Sequence, residues 1–217
     1  MDATEDQKQA AAQAAAELVE AGMRVGLGTG TTVAHFLPAL ARRGLDVVCV
    51  ATSSATEEQA RALGLVLDPF DLLEDLDIAV DGTDQVAPDL WLVKGGGGAQ
   101  THEKVVAAAA ARFVVIASAD KRVERIHPPV PVEALRFGLR ATIRRLESLG
   151  PVRVREAGAT PDGNVLLDYE GLVGDPALLA AELDEVPGVV GHGLFPPALV
   201  SEVLIGVGGD EVLRLTR

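Results

Sequence analysis

Four side chains in this sequence have the types and spacing to move a proton on a small polar substrate. Asp81 and Asp84 bracket Gly82 and Thr83, which sets two carboxylates on one tight turn, where they can hold hydroxyl groups and pass protons. An Asx turn would also use Asp81 there, as a plain capping group. Lys94 opens the run KGGGG, in a chain with fifteen arginines and only four lysines, Lys8, Lys94, Lys104 and Lys121. A lysine kept against that bias points to a compact ammonium that a planar guanidinium does not replace. Gly95, Gly96 and Gly97 behind it let backbone come close to a ligand. Glu103 falls in the first turns of a helix, where the dipole holds a carboxylate ionised and ready as a base; acids also favour that place for the dipole alone.

A second group has the chemistry of a phosphate site. In GLGTGTT, Thr29, Gly30, Thr31 and Thr32 stand immediately before a helix, whose first N–H groups attract an anion. A dinucleotide fingerprint would need its third glycine at position 31 and an acid after the next strand, but the chain reads Thr31 and Ala51-Thr52. A Walker loop would need a lysine after the last glycine, and the chain has none there. A monophosphate cradle remains. Lys121 adds a cation at another strand end. His35, His102, His127 and His192 share no metal-ligand spacing and read as structural or surface residues, so no metal is expected.

These residues need elements to hold them. Residues 4–20 are alanine-rich, with Thr4 and Gln7 at capping-box spacing, and predict a helix ending before Gly22. Apolar strands at 23–27, 46–51, 65–67, 76–80, 90–93 and 113–117 alternate with helices at 33–43, 55–63 and 102–111, and Pro38 lies inside the first of these. That rhythm predicts a mostly parallel, Rossmann-like sheet covered on both faces. The polar segments 29–32, 52–54, 81–84, 94–98 and 119–121 all follow apolar strands, where open α/β sheets bind ligands.

After PPVPV the rhythm changes. A strand at 130–132, a stripe of Leu135, Leu139, Ile143 and Leu146, a hairpin of 152–155 with 165–168 around PDGN, a helix capped by Asp175 with Pro176 at its first position, and a strand at 189–194 give the order β-α-β-β-α-β. This is the ferredoxin-like plan of a smaller α+β domain. The expected domains are 1–127 with 201–217, and 128–200 between them; 201–217 reads as two further strands returning to the first.

Composition narrows the function. The chain of 217 residues is 48% apolar, which excludes disorder as its main state. With 32 acidic and 19 basic residues, a net charge of -13 repels polyanions, and seven aromatic residues are too few for base-stacking platforms, so no nucleic-acid partner is expected. The acidic, polar start MDATEDQKQA is unlike a signal peptide, no uncharged apolar run is long enough to span a membrane, and the single cysteine, Cys49, reads as a core hydrophobe. The expected setting is cytoplasmic.

The pieces GLGTGTT, ATSSAT, VDGTD, KGGGGA, Glu103-Lys104, Lys121, PVPVEA and GLF, in this order along the whole chain, resemble type A ribose-5-phosphate isomerase. The resemblance implies a Rossmann-like domain carrying a ferredoxin-like one, and interconversion of D-ribose 5-phosphate and D-ribulose 5-phosphate through an enediolate with no cofactor. It implies Glu103 as the base between C2 and C1, Lys94 as the oxyanion stabiliser, and Asp81 and Asp84 as hydroxyl holders that assist ring opening. Thr29 to Thr32 and Lys121 would take the phosphate, and the family implies a homo-oligomer, dimer or tetramer. Gln85, His102 and Asp120 stand where the family usually has glutamate, arginine and serine. A non-catalytic sugar-phosphate sensor is the alternative from the binding class; it gives no reason to keep Asp81, Lys94 and Glu103 together. An amino-sugar-phosphate deaminase or CoA transferase fits VDGTD and KGGGG less well.

Overall fold

The computed structural model describes residues 3–156 and 160–217; Met1 and Asp2, assigned by sequence to the first domain, lie outside the described residues. The elements of the first half are α1 (Ala3–Ala16), β1 (Arg24–Leu27), α2 (Val33–Arg42), β2 (Val48–Ala51), α3 (Ser54–Ala62), β3 (Val66–Leu67), β4 (Leu76–Gly82), β5 (Gln85–Val86), β6 (Leu92–Val93), α4 (Gln100–Ala109) and β7 (Ala110–Ser118). They are followed by β8 (Val130–Ala134), α5 (Leu139–Leu146), β9 (Val152–Val154), β10 (Val165–Tyr169), α6 (Pro176–Asp184), β11 (Val189–His192), β12 (Leu194–Phe195), β13 (Glu202–Gly208) and β14 (Glu211–Thr216). Contacts divide the chain into one unit of Met1–Thr83, His102–Arg122 and Pro197–Arg217, and a second of Asp84–Thr101 and Val123–Pro196.

The first unit is built on a seven-stranded sheet in the order β14-β13-β7-β4-β1-β2-β3, parallel throughout except for the β13–β14 edge pair. Its inner strands are near-continuous apolar runs, Ile78 to Val80 and Phe113 to Ala117, as strands covered on both faces must be. On one face, Ala11, Ala12, Ala15 and Ala16 of α1 and Phe36, Leu37 and Leu40 of α2 pack on Val25, Leu27, Val80, Ile116 and Leu204. The small side chains let α1 lie close: a Cβ on Gly206 of β13 would meet the Gln7 carbonyl at 1.9 Å. From β1 the chain steps outward to β2 and β3; from β4 it steps the other way to β7 and β13. The direction of winding therefore reverses between β1 and β4, the place in an open α/β sheet where the carboxyl ends of the strands leave a crevice.

Two local expectations are corrected. Gln7 does not close a capping box: its amide donates to the Val207 carbonyl at 3.3 Å and accepts the Ala119 N–H at 3.1 Å, so it ties α1 to the ends of β13 and β7. The helix stops at Ala16 rather than near Glu20, and the Arg43 guanidinium donates to the carbonyls of Ala16 and Val19 at its end.

The second unit holds a four-stranded antiparallel sheet in the order β11-β8-β10-β9, which with α5 and α6 is the ferredoxin-like arrangement. Val130, Val132 and Ala134 of β8 pack with Leu146 of α5, Leu167 and Tyr169 of β10, and Leu179 and Leu183 of α6. Asp175 caps α6 by accepting the Ala177 N–H at 2.9 Å, with Pro176 behind it. Helix α5 begins at Leu139, because Gly138 in the left-handed region (φ +68°) separates it from Leu135, which is exposed beyond β8. The same unit contains a three-stranded antiparallel sheet, β12-β6-β5. Residues 84–101, assigned by sequence to the first domain, group here because β6 pairs with β5 on one side and with β12 on the other rather than with the seven-stranded sheet. Among the described residues no helix is long and apolar enough to cross a membrane.

Cys49 is buried in β2, and burial pushes its thiol up to about 12. Native protein at pH 8 is therefore expected to leave a disulfide reagent unreacted, with one thiol appearing on unfolding in guanidinium. Because the folded state retains the proton that the unfolded thiol gives up near 9, stability falls as pH rises from about 9 towards 12. Rapid native labelling would show that β2 opens.

Candidate active site

In the first unit the winding reversal carries Asp81. This side chain is 2% exposed at the end of β4, and its Oδ1 accepts the N–H groups of Thr29 at 3.0 Å and Gly82 at 2.7 Å. Gly28 is required beside it: a Cβ there would lie 2.0 Å from the Asp81 carboxyl carbon. The Thr29 hydroxyl joins a cluster of Thr52 (2.8 Å), Ser53 (3.0 Å) and Thr56 (3.4 Å), and Thr56 donates to the Gly28 carbonyl at 2.8 Å. Ser53 is also the N-cap of α3, accepting the Thr56 N–H at 3.2 Å. The carboxyl ends of β1, β2 and β4 are thus laced into one polar rim.

Gly30 (φ +113°) and Thr31 are exposed, and Thr32 is buried at the start of α2, where the Ala34 N–H donates to the Gly30 carbonyl at 3.0 Å and the His35 N–H to the Thr32 carbonyl at 3.1 Å. Lys121, after β7, is partly exposed and pairs with Asp120 at 3.5 Å. Burial pushes the Asp120 carboxyl up, but the Ser118 hydroxyl and the Lys121 ammonium outweigh it and hold the group below its ordinary value. This chain thus sets an anion against Lys121. Glu103, the fourth residue of α4, is 4% exposed, and its neighbour His102 faces the Thr52 carbonyl, 3.3 Å from Nδ1.

In the second unit Asp84 and the glycine turn meet. The Asp84 N–H donates to the Val93 carbonyl at 2.8 Å, and its Oδ2 accepts the Gly96 N–H at 2.8 Å. Lys94 is 2% exposed; its N–H donates to the Gly193 carbonyl at 2.9 Å, and its ammonium stands 5.4 Å from the centre of the Phe195 ring. The Gly193-Leu194-Phe195 piece has a physical reason here. A Cβ on Gly193 would meet the Lys94 carbonyl at 2.1 Å, so only glycine lets β12 reach β6 and carry the ring over the ammonium. Gln85 and the His127 backbone exchange two hydrogen bonds, at 2.8 and 3.0 Å, using both ends of the amide; a glutamate could not donate the first. Among the described residues no three His, Cys, Asp or Glu side chains gather as a metal would need.

Compared with known proteins, residues 48–209 match the model of Ribose 5-phosphate isomerase A (phosphoriboisomerase A). The chain is 47% identical over 214 residues to Ribose-5-phosphate isomerase A of Caulobacter sp. (strain K31), covering 93% of this chain and 94% of that protein. It belongs to the ribose 5-phosphate isomerase A family. Among solved structures, ribose 5-phosphate isomerase A of Methanocaldococcus jannaschii superposes with a TM-score of 0.92 at 35% identity, covering 98% of this chain and 99% of that one. A D-ribose-5-phosphate isomerase solved in complex with phospho-erythronic acid gives 0.93 at 32% identity and 99% of both chains. Residues 3–62 also match the DeoR C terminal sensor domain, a span that holds the Thr29 turn but neither Lys94 nor Glu103.

Of the residues singled out by sequence, the first unit joins Thr29 to Asp81 directly, and the second joins Asp84 to the glycine turn. Two groups escaped the site assignment. The hydroxyls of Thr52, Ser53 and Thr56 had a signal in ATSSAT after β2. Arg155, which donates to the carbonyls of Gly95 and Gly96, is hidden among the alternating charges of VRVRE.

Proposed function

We propose that this chain, as a member of the ribose 5-phosphate isomerase A family, interconverts D-ribose 5-phosphate and D-ribulose 5-phosphate. The observation that carries the reading is the 47% identity, over nearly the whole length of both chains, with a protein of that name. The relative solved with phospho-erythronic acid adds support, since a phosphorylated sugar acid presents the same two chemical demands, an anion to hold and hydroxyls to bind.

In this reading Glu103 takes the proton from C2 of the open-chain aldose and returns it to C1. The oxygen that gains charge in the enediolate is stabilised by the Lys94 ammonium. Asp81 and Asp84 hold the sugar hydroxyls, assist ring opening and pass the proton between O1 and O2. The backbone of Gly82, Thr83, Gly95, Gly96 and Gly97 lines the bound sugar. The phosphate goes to Thr29, Gly30, Thr31 and Thr32 at the start of α2, with Lys121 as the countercharge that a chain of net charge -13 must supply locally for a dianion. No metal or organic cofactor enters the steps, and the setting is a cytoplasmic homo-oligomer, dimer or tetramer. The sensor reading draws on the match over residues 3–62, but assigns no work to Lys94 or Glu103.

The purified chain in EDTA is expected to convert each pentose phosphate into the other, followed by the absorbance of the ketose and by a coupled assay in reverse. No turnover in either direction would reject the assignment, and turnover that EDTA abolishes would reject the cofactor-free route.

A further inference from the structure

Arg155 follows β9, with its side chain 14% exposed and every donor group engaged within the second unit. Nε and Nη2 donate to Oδ1 of Asp168 at 2.9 and 2.6 Å, and the other oxygen of Asp168 takes Arg153 at 2.7 Å. Nη1 is left for the glycine turn, where it donates to the Gly95 carbonyl at 2.9 Å and the Gly96 carbonyl at 3.2 Å. The Gly95 carbonyl and the Gly96 N–H are the two ends of one peptide group, and that N–H donates to Oδ2 of Asp84 at 2.8 Å. Asp168, Arg155, the 95–96 peptide and Asp84 thus form one unbroken chain of hydrogen bonds.

Such a chain has a direction. A guanidinium on the carbonyl polarises the peptide, which strengthens the N–H that faces the Asp84 carboxylate. The peptide plane is also fixed mechanically. Gly95 has φ +105°, which a side chain would resist, and a Cβ on Gly96 would stand 2.9 and 3.0 Å from the Asp84 carboxylate oxygens. With its own N–H tied to Val93, Asp84 has its backbone held from one side and its carboxylate from the other.

We infer that Arg155, oriented by Asp168, is a positioning residue for Asp84: by fixing the Gly95–Gly96 peptide it sets the direction in which the carboxylate faces substrate. The inference rests on the reading above in which Asp84 works on the sugar. Arg155 touches no reacting atom in this scheme, and its effect reaches turnover only through Asp84.

A double-mutant cycle tests this, with kcat and KM measured for wild type, Arg155→Ala, Asp84→Asn and the double variant. Asp84→Asn alone is expected to slow turnover by ~10²-fold or more, the low end for losing one proton-handling group. Arg155→Ala is expected to lower kcat about tenfold with little change in KM, and to cost less than about twofold on the Asp84→Asn background, because nothing is left to position. Arg155→Lys, which keeps a cation on Asp168 and one donor for the carbonyls, should recover part of the loss and vanish on the same background. It carries the cycle if Arg155→Ala does not fold. Losses that multiply in the double variant would mean that Arg155 serves the fold alone, and would overturn the inference while leaving Asp84 in its role. An Asp84→Asn enzyme as fast as wild type would instead remove Asp84 from the reaction, and the positioning role with it.

Discussion

Glu103→Gln is expected to reduce kcat in both directions by at least ~10²-fold, the low end for loss of a general base, with KM little changed. The substitution keeps the volume and the hydrogen-bonding reach of a side chain that is 4% exposed, so it removes the ability to take a proton and almost nothing else. Exchange of the substrate's C1 and C2 hydrogens with deuterated water should disappear in parallel, since exchange needs the same proton transfer. Full turnover in the Gln variant would move the base elsewhere, and Asp81 would be the next carboxylate to test. A variant that loses stability and activity together would show that Glu103 serves α4 first.

Much of this arrangement could be read from residue types in order. The parallel layer announced itself because strands buried on both faces must be apolar throughout, and the polar residues at their ends stand out by contrast. The ferredoxin-like unit was legible because Asp175-Pro176 and Gly188 punctuate it at helix-terminal positions. What stayed hidden depends on which strand pairs with which. Residues 84–101 look like a continuation of the first sheet, yet β6 pairs with β12, more than a hundred positions away, and no local pattern encodes that choice. Gln7 is a similar case: its spacing from Thr4 suits a cap, but the ends of β7 and β13 compete for its amide and win. Arg155 was invisible because alternating arginines on a strand look like a solvated face, and only the hairpin register brings this one against Asp168 and the glycine turn.

Lys94 carries the second large effect. Lys94→Met is expected to lower kcat by ~10²- to 10³-fold, the range for removing one group that stabilises a developing oxyanion. Lys94→Arg is expected to lose nearly as much although it keeps the charge. Lys94 is 2% exposed, its ammonium stands close to the Phe195 ring, and its backbone directly after β6 is pinned to Gly193, where the glycine already marks the limit of approach. A planar guanidinium is wider, spreads its charge over three nitrogens, and cannot present a point charge in the space a single nitrogen fills. Near-normal turnover in Lys94→Arg would reduce the requirement to charge alone, and near-normal turnover in Lys94→Met would take the oxyanion role from Lys94 altogether. The preference for lysine here, in a chain that elsewhere uses arginine, would then have to be explained by packing against Phe195 rather than by catalysis.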